Sequence, residues 1–205
     1  HYKCSNYRHK DSETGILWND KDIGIKWPIK KPIVSNKDKE NLKFKDLVIY
    51  EKNTYKDKRG YFRELYLQKH FNNKFPFDVM SYSKKNVLRG LHLQLKQSQA
   101  KLITVLKGKI FDVSLDCRKK SKTFGKFFSI ILSENENKSL LIPKGFAHGF
   151  CSLTEDVVLH YKCSNYRHKD SETGILWNDK DIGIKWPIKK PIVSNKDKEN
   201  LKFKD

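Results

Sequence analysis

From Leu47 onward the chain is built of short runs in which apolar and polar residues alternate, broken by Gly and Pro. Between Phe111 and Cys117 the alternation is clean. Phe111, Val113, Leu115 and Cys117 fall on one side, and Asp112, Ser114 and Asp116 on the other. A period of two predicts a strand with one face buried and one in water. Gly108 separates this strand from the apolar run Lys101–Leu106, as a turn residue does. Leu47–Tyr50, Lys58–Phe62, Phe124–Leu132, Ser139–Pro143 and Asp156–Tyr166 continue the series, with turn chemistry at Gly125, Pro143-Lys-Gly145 and Gly149. Only Glu64–Phe71 reads as a helix, and a short one. Many short strands without intervening helices predict an all-β jelly-roll barrel rather than βαβ units.

Residues 1–46 recur without a substitution as residues 160–205, on either side of an unrelated middle. Repeats that stack into solenoids diverge and follow one another directly, so this one is not architecture of that kind. One copy suffices to complete the fold of the middle region. The expected organisation is a single domain over 47–205, with 1–46 an artefactual, redundant or swapped duplicate. Tyr2 and Asp38 are then copies of Tyr161 and Asp197.

Charge narrows the class of partner. Lys and Arg number 43 against 24 Asp and Glu, a formal charge of +19. Each copy of the repeat holds 11 basic and 7 acidic residues, so +15 remains when one is set aside. Such a balance suits nucleic acid, an anionic membrane surface or a phosphorylated small molecule. The lysines are dispersed and no arginine-rich run appears, which reads as a solvated surface and not a nucleic-acid groove. No apolar stretch is long enough to span a bilayer, and no signal peptide is visible. Cys4, Cys117, Cys151 and Cys163 show no CxxC spacing, so neither a zinc site nor a disulfide framework is expected, and a reducing cytoplasm is the expected location.

Three clusters carry candidate chemistry. Lys84-Lys-Asn-Val-Leu-Arg-Gly-Leu-His-Leu-Gln94 brings Arg89 and His92 together, with Gly90 permitting a tight backbone path. Ile142-Pro-Lys-Gly-Phe-Ala-His-Gly-Phe150 wedges His148 between aromatics and glycines. Leu159-His-Tyr-Lys-Cys-Ser-Asn-Tyr166 offers Tyr161 and Tyr166 on a strand. Taken singly, each residue has an ordinary packing or surface role open to it.

Taken together they resemble a family. Asn86-Val-Leu-Arg-Gly-Leu-His-Leu-Gln94 is similar to the signature of the dTDP-4-dehydrorhamnose 3,5-epimerases. So, in the same order, are Gln99-Ala-Lys-Leu102, Gly108-Lys-Ile-Phe-Asp-Val113, Asp116-Cys-Arg-Lys119, Thr123-Phe-Gly125, Ile142–Phe150, Tyr161-Lys162 and Trp177-Asn-Asp179, with Asp57-Lys-Arg-Gly-Tyr-Phe62 upstream. The resemblance covers residues 47–205 and implies a cupin-type barrel with short peripheral helices. It also implies an isomerase that inverts carbons 3 and 5 of a dTDP-4-keto-6-deoxyhexose through enolates, with no cofactor and no metal. Its alternatives are a single-centre 3-epimerase or ketoisomerase, and a non-catalytic nucleotide-sugar-binding barrel.

By position, the resemblance makes His92 the base, Asp197 its orienting carboxylate, Lys101 the enolate stabiliser and Tyr161 the acid. It places Arg89 and His148 near the sugar and phosphates, and Tyr166 beside the substrate. Arg59 and Glu64 match positions that bind the nucleotide of a partner's site, so a homodimer is expected. Two departures stand out: Phe77-Asp-Val-Met80 replaces a strand with Gln and Asn, and Arg167 replaces an aromatic.

Overall fold

The computed structural model describes residues 44–204, within a compact unit that runs Phe44–Asp205. Expectations for residues 1–43, including those for Tyr2 and Asp38, lie outside the described residues. Five antiparallel strands make one sheet, in the order β1 (Val48–Glu51), β9 (Lys138–Ile142), β6 (Lys101–Lys107), β11 (Asp156–Cys163) and β4 (Phe77–Lys84). The second sheet runs β12 (Glu172–Gly174), β5 (Val87–Gln94), β10 (Phe146–Ser152), β7 (Lys109–Asp116) and β8 (Phe127–Ser133). A two-residue strand, β13 (Ile192–Val193), joins β5 in parallel. β2 (Thr54–Asp57) and β3 (Gly60–Arg63) pair with each other as a hairpin.

The alternation read from the sequence decides which side chains fill the barrel. Ile103 and Val105 of β6, Val157 and Leu159 of β11, Ile110 of β7, and Phe146 and Phe150 of β10 form one buried cluster between the sheets. Removing side chains of this size from water stabilises by about 1.5–3 kcal/mol each. Phe44 caps the cluster through edge contacts with Phe128 and Phe146, both at 6.2 Å.

The prediction that β7 has one wet face is corrected: both faces are buried. Asp112, Ser114 and Asp116 are all 0% exposed, on the same face as the barrel-filling Ile110. Val113 and Leu115, on the other face, pack with Leu91, Ala147 and Ile175 beneath Trp186 and Phe203 of the C-terminal segment. The polar side chains therefore point inward, where each needs a partner.

The expected helix at Glu64–Phe71 is also corrected. Only Gln68–His70 forms a 3-10 turn. The remainder spreads its aromatics over the outside of the five-stranded sheet. Phe71 stacks on Tyr66 at 5.2 Å and tilts against Tyr50 at 4.6 Å, beside buried Phe75 and Leu102. That packing needs an extended chain, since a helix would turn these rings to different sides.

Candidate active site

The C-terminal segment builds the site by closing the open edge of β5. β12 pairs antiparallel with Leu93 and its neighbours at one end, and β13 pairs parallel with Val87 and Leu88 at the other. After β13 the chain makes a single helical turn, α1 (Asn195–Lys198), capped by the Ser194 hydroxyl, which accepts the Asp197 N–H at 3.1 Å. The turn aims Asp197 at His92. Their Oδ1 and Nε2 atoms lie 2.5 Å apart, and the Gly90 N–H donates to Oδ2 at 3.2 Å.

Burial opposes the charge of Asp197, but the bonds from His92, Gly90 and Ser194 outweigh it and hold the carboxyl below its ordinary value. Asp197 is 3% exposed, whereas the His92 side chain is 42% exposed and open to a ligand.

Gly90 and Gly149 let the two central strands approach closely. Gly90 adopts φ +128°, and a Cβ there would lie 2.5 Å from the Gly149 Cα. In this register His92 of β5 stands opposite His148 of β10. His148 is buried, and its Nε2 lies 2.8 Å from Asp112 Oδ2, making a second His–carboxylate pair inside the barrel. Asp112 Oδ1 is buried without a hydrogen-bond partner in the protein.

Arg89, His92, Lys101 and Asp197 line a cavity of 570 Å³. Burial pushes the Lys101 ammonium down from its ordinary value, a shift opposed by the ionisable groups of Cys163, Glu172 and Asp112 nearby. Arg89 is braced by bonds to the Ser83 hydroxyl and the Tyr82 carbonyl, both at 3.0 Å. Tyr161, on β11, lies with its ring 6.3 Å from that of His148 and its hydroxyl 3.0 Å from Ser81 Oγ. Burial pushes its phenol well above the ordinary range, so it stays protonated at neutral pH.

Five expected residues are not part of the cavity lining: His148 and Tyr161, buried within the barrel, and three that lie farther out. Tyr166 is 63% exposed, 5.9 Å from the Phe77 ring. Arg59 sits at the tip of the β2–β3 hairpin, paired with Asp57 at 2.6 Å. Glu64 accepts from Asn53 at 3.0 Å beside a separate 50 Å³ cavity. Sequence reading put Asp112 on the wet face of its strand and so missed it as a site residue; alternation alone carried no signal of its pairing with His148. It also missed Glu172 and Lys196, which line the main cavity with Arg167. Among the described residues no three His, Cys, Asp or Glu side chains gather to hold a metal, and no helix is long and apolar enough to cross a membrane.

This arrangement is that of a cupin-type jelly-roll barrel with a His–Asp pair at the wall of its main cavity. The chain belongs to the dTDP-4-dehydrorhamnose 3,5-epimerase family, a family of isomerases, whose model matches residues 1–46 and 41–205. It is 44% identical over 167 residues to the dTDP-4-dehydrorhamnose 3,5-epimerase of Shigella flexneri, covering 78% of this chain and 92% of that one. A solved epimerase of Legionella pneumophila, in complex with dTDP-4-keto-L-rhamnose, is 39% identical with a TM-score of 0.77, covering 80% and 91% of the two chains. A 3'-monoepimerase of Streptomyces bikiniensis, in complex with dTDP-quinovose, shares the fold at 28% identity and a TM-score of 0.73, covering 78% and 84%.

Proposed function

We propose that the protein epimerises carbons 3 and 5 of a dTDP-4-keto-6-deoxyhexose by stepwise proton transfer. The observation that carries this reading is the 2.5 Å His92–Asp197 pair in the wall of a 570 Å³ cavity that also holds Lys101. A hydrogen on a carbon beside a ketone is acidic because its removal gives an enolate. His92 takes that proton, and the buried Asp197 anion stabilises the imidazolium that results. Lys101 balances the negative charge that gathers on the keto oxygen. Tyr161, kept as a phenol by burial, returns a proton from the opposite face, which inverts the centre. His148 and Arg89 orient the sugar and phosphates, and Tyr166 lies against the nucleotide.

The catalytic carboxylate and phenol are those of the 160–205 copy, with 47–205 acting as one domain. Arg59 and Glu64, remote from this chain's cavity, serve the site of a second subunit in a homodimer. The enzyme works in the cytoplasm.

The test is incubation with dTDP-4-keto-6-deoxyglucose in heavy water, followed by proton NMR. Deuterium enters at both carbons, and His92→Ala abolishes it. Exchange at one carbon alone would support the single-centre reading, which the Streptomyces bikiniensis monoepimerase keeps in view. For the dimer, mixing inactive His92→Ala and Arg59→Ala proteins restores part of the activity. No recovery after subunit exchange would sink the shared site.

A further inference from the structure

The edge strand β4 turns two hydroxyls toward the inside of the barrel. Its residues alternate, so Phe77, Val79, Ser81 and Ser83 share one face, and Asp78, Met80, Tyr82 and Lys84 the other. The neighbouring strand β11 pairs with it in a register that sets Val79 opposite Tyr161 and Ser81 opposite Leu159. Ser81 is therefore the diagonal neighbour of Tyr161, a separation that an aromatic side chain spans. Val79, directly opposite, offers the phenol no polar atom. The Tyr161 hydroxyl meets Ser81 Oγ at 3.0 Å. Ser83, two residues on, accepts from Arg89 Nε at 3.0 Å.

The two serines differ in their access to water. Ser83 is 2% exposed, whereas Ser81 is half-buried. β4 ends its sheet, with β11 as its one paired neighbour among the described residues. Ser81 thus touches the phenol while keeping some contact with solvent.

Inverting two centres makes a demand on the acid that inverting one does not. Each inversion takes the phenol proton to carbon and leaves Tyr161 as a phenolate. Burial makes that phenolate costly, and the Ser81 hydrogen bond is the chief influence in its favour. A proton must return to the phenolate before the second centre can be inverted. In the proposed reaction His92 acts on the other face of the sugar. His148 has its Nε2 on Asp112 at 2.8 Å, and its ring centre is 6.3 Å from that of Tyr161.

We propose that Ser81 is a positioning residue that reloads Tyr161, passing a solvent proton to it between the two inversions. The hydroxyl gives its own proton to the Tyr161 oxygen as it accepts one from water on a free lone pair, so Ser81 is neutral before and after. The proton lost to the sugar carbon is thereby replaced from solvent, and the proton taken by His92 is released to solvent. This inference rests on the proposed two-centre epimerisation.

The test is Ser81→Ala in the full chain, with dTDP-4-keto-6-deoxyglucose in heavy water, followed by proton NMR from the first turnover. Loss of the relay slows the second inversion more than the first, and the singly inverted sugar accumulates. The ratio of the two rates rises by about tenfold, short of the roughly 10²–10⁴ that belongs to an acid acting directly. Ser81→Thr keeps a hydroxyl on a side chain suited to a strand and restores the wild-type ratio. Should Ser81→Ala fail to fold, by circular dichroism and Tm, Ser81→Thr and Ser81→Val give the same comparison in one shape. Equal slowing of both inversions overturns the relay, since that is what simple packing against the ring would produce, and so does an unchanged rate at both. Exchange in the wild-type protein reads the epimerase proposal separately. Deuterium at both carbons with equal slowing in the variant removes the relay alone. No exchange, or exchange at one carbon, in the wild type removes the two-centre reading and the relay with it.

Discussion

Changing Asp197 to Asn separates the charge of the dyad from its shape. The side chain is 3% exposed, and its two oxygens serve His92 at 2.5 Å and the Gly90 N–H at 3.2 Å. Asparagine fills the same volume but has one acceptor oxygen, so it satisfies His92 or Gly90 and presents its NH2 to the other. It also lacks the anion that faces the imidazolium formed when His92 takes a proton. Two unit charges about 4 Å apart near a protein surface attract by on the order of 4 kcal/mol. At about 1.4 kcal/mol per factor of ten, that corresponds to a loss of about 10³ in kcat.

The assay is the rate of deuterium entry at carbons 3 and 5 in heavy water, with circular dichroism to establish folding. Asp38→Asn, the same change in the first copy, leaves the rate unchanged. A folded Asp197→Asn protein within tenfold of wild type at both carbons would refute the role given to the carboxylate. The native carboxyl titrates below its ordinary value, so the dyad's contribution to stability is present above the unfolded value near pH 4. It is lost as the pH falls further.

Tyr161→Phe keeps the ring and removes the acid. Inversion falls by about 10²–10⁴ while proton abstraction continues, so deuterium washes into unepimerised substrate, which NMR reads directly. Equal loss of exchange and inversion would mean that Tyr161 is not the acid. Asp116, 0% exposed, accepts from Arg118, Ser121 and Thr123, and these bonds outweigh burial to hold its carboxyl well below the carboxylate range. Asp116→Ala costs about 2–4 kcal/mol in urea unfolding at pH 7, less than a fully enclosed pair because Arg118 keeps some contact with water. The deficit shrinks below the unfolded value near pH 4, where the wild-type carboxyl loses its advantage; a deficit constant between pH 7 and pH 3 would contradict this.

The strands were legible because alternation and glycine turns are local. Phe111–Cys117 showed its two faces in the residues themselves. What local pattern could not show is what covers each face. The partner of Asp112 is His148, 36 residues away, and the cover over Val113 and Leu115 comes from the last part of the chain. The Glu64–Phe71 helix failed for a similar reason, since its aromatics answer to a sheet surface built from β1 and β6. His92 and Asp197 are separated by 105 positions, and no periodicity joins them; resemblance placed them together before the coordinates did. The Arg167 cluster shows the reverse case. The sequence marked Arg167 as a departure, but only the geometry revealed that Glu172 and Lys196 meet it.

The position of α1 at the far end of the chain also sets the order in which activity appears during synthesis. At roughly 5–20 residues per second, the 105 positions between His92 and Asp197 take about 5–20 s to translate. Until residues 172–174 and 192–193 are made the strand bearing His92 lacks β12 and β13 along one edge, and until Asp197 follows the imidazole has no carboxylate from the 160–205 copy. A ribosome that stops before residue 172 therefore leaves β5 with an open edge and His92 without that carboxylate, a species suited to capture by chaperones rather than to turnover.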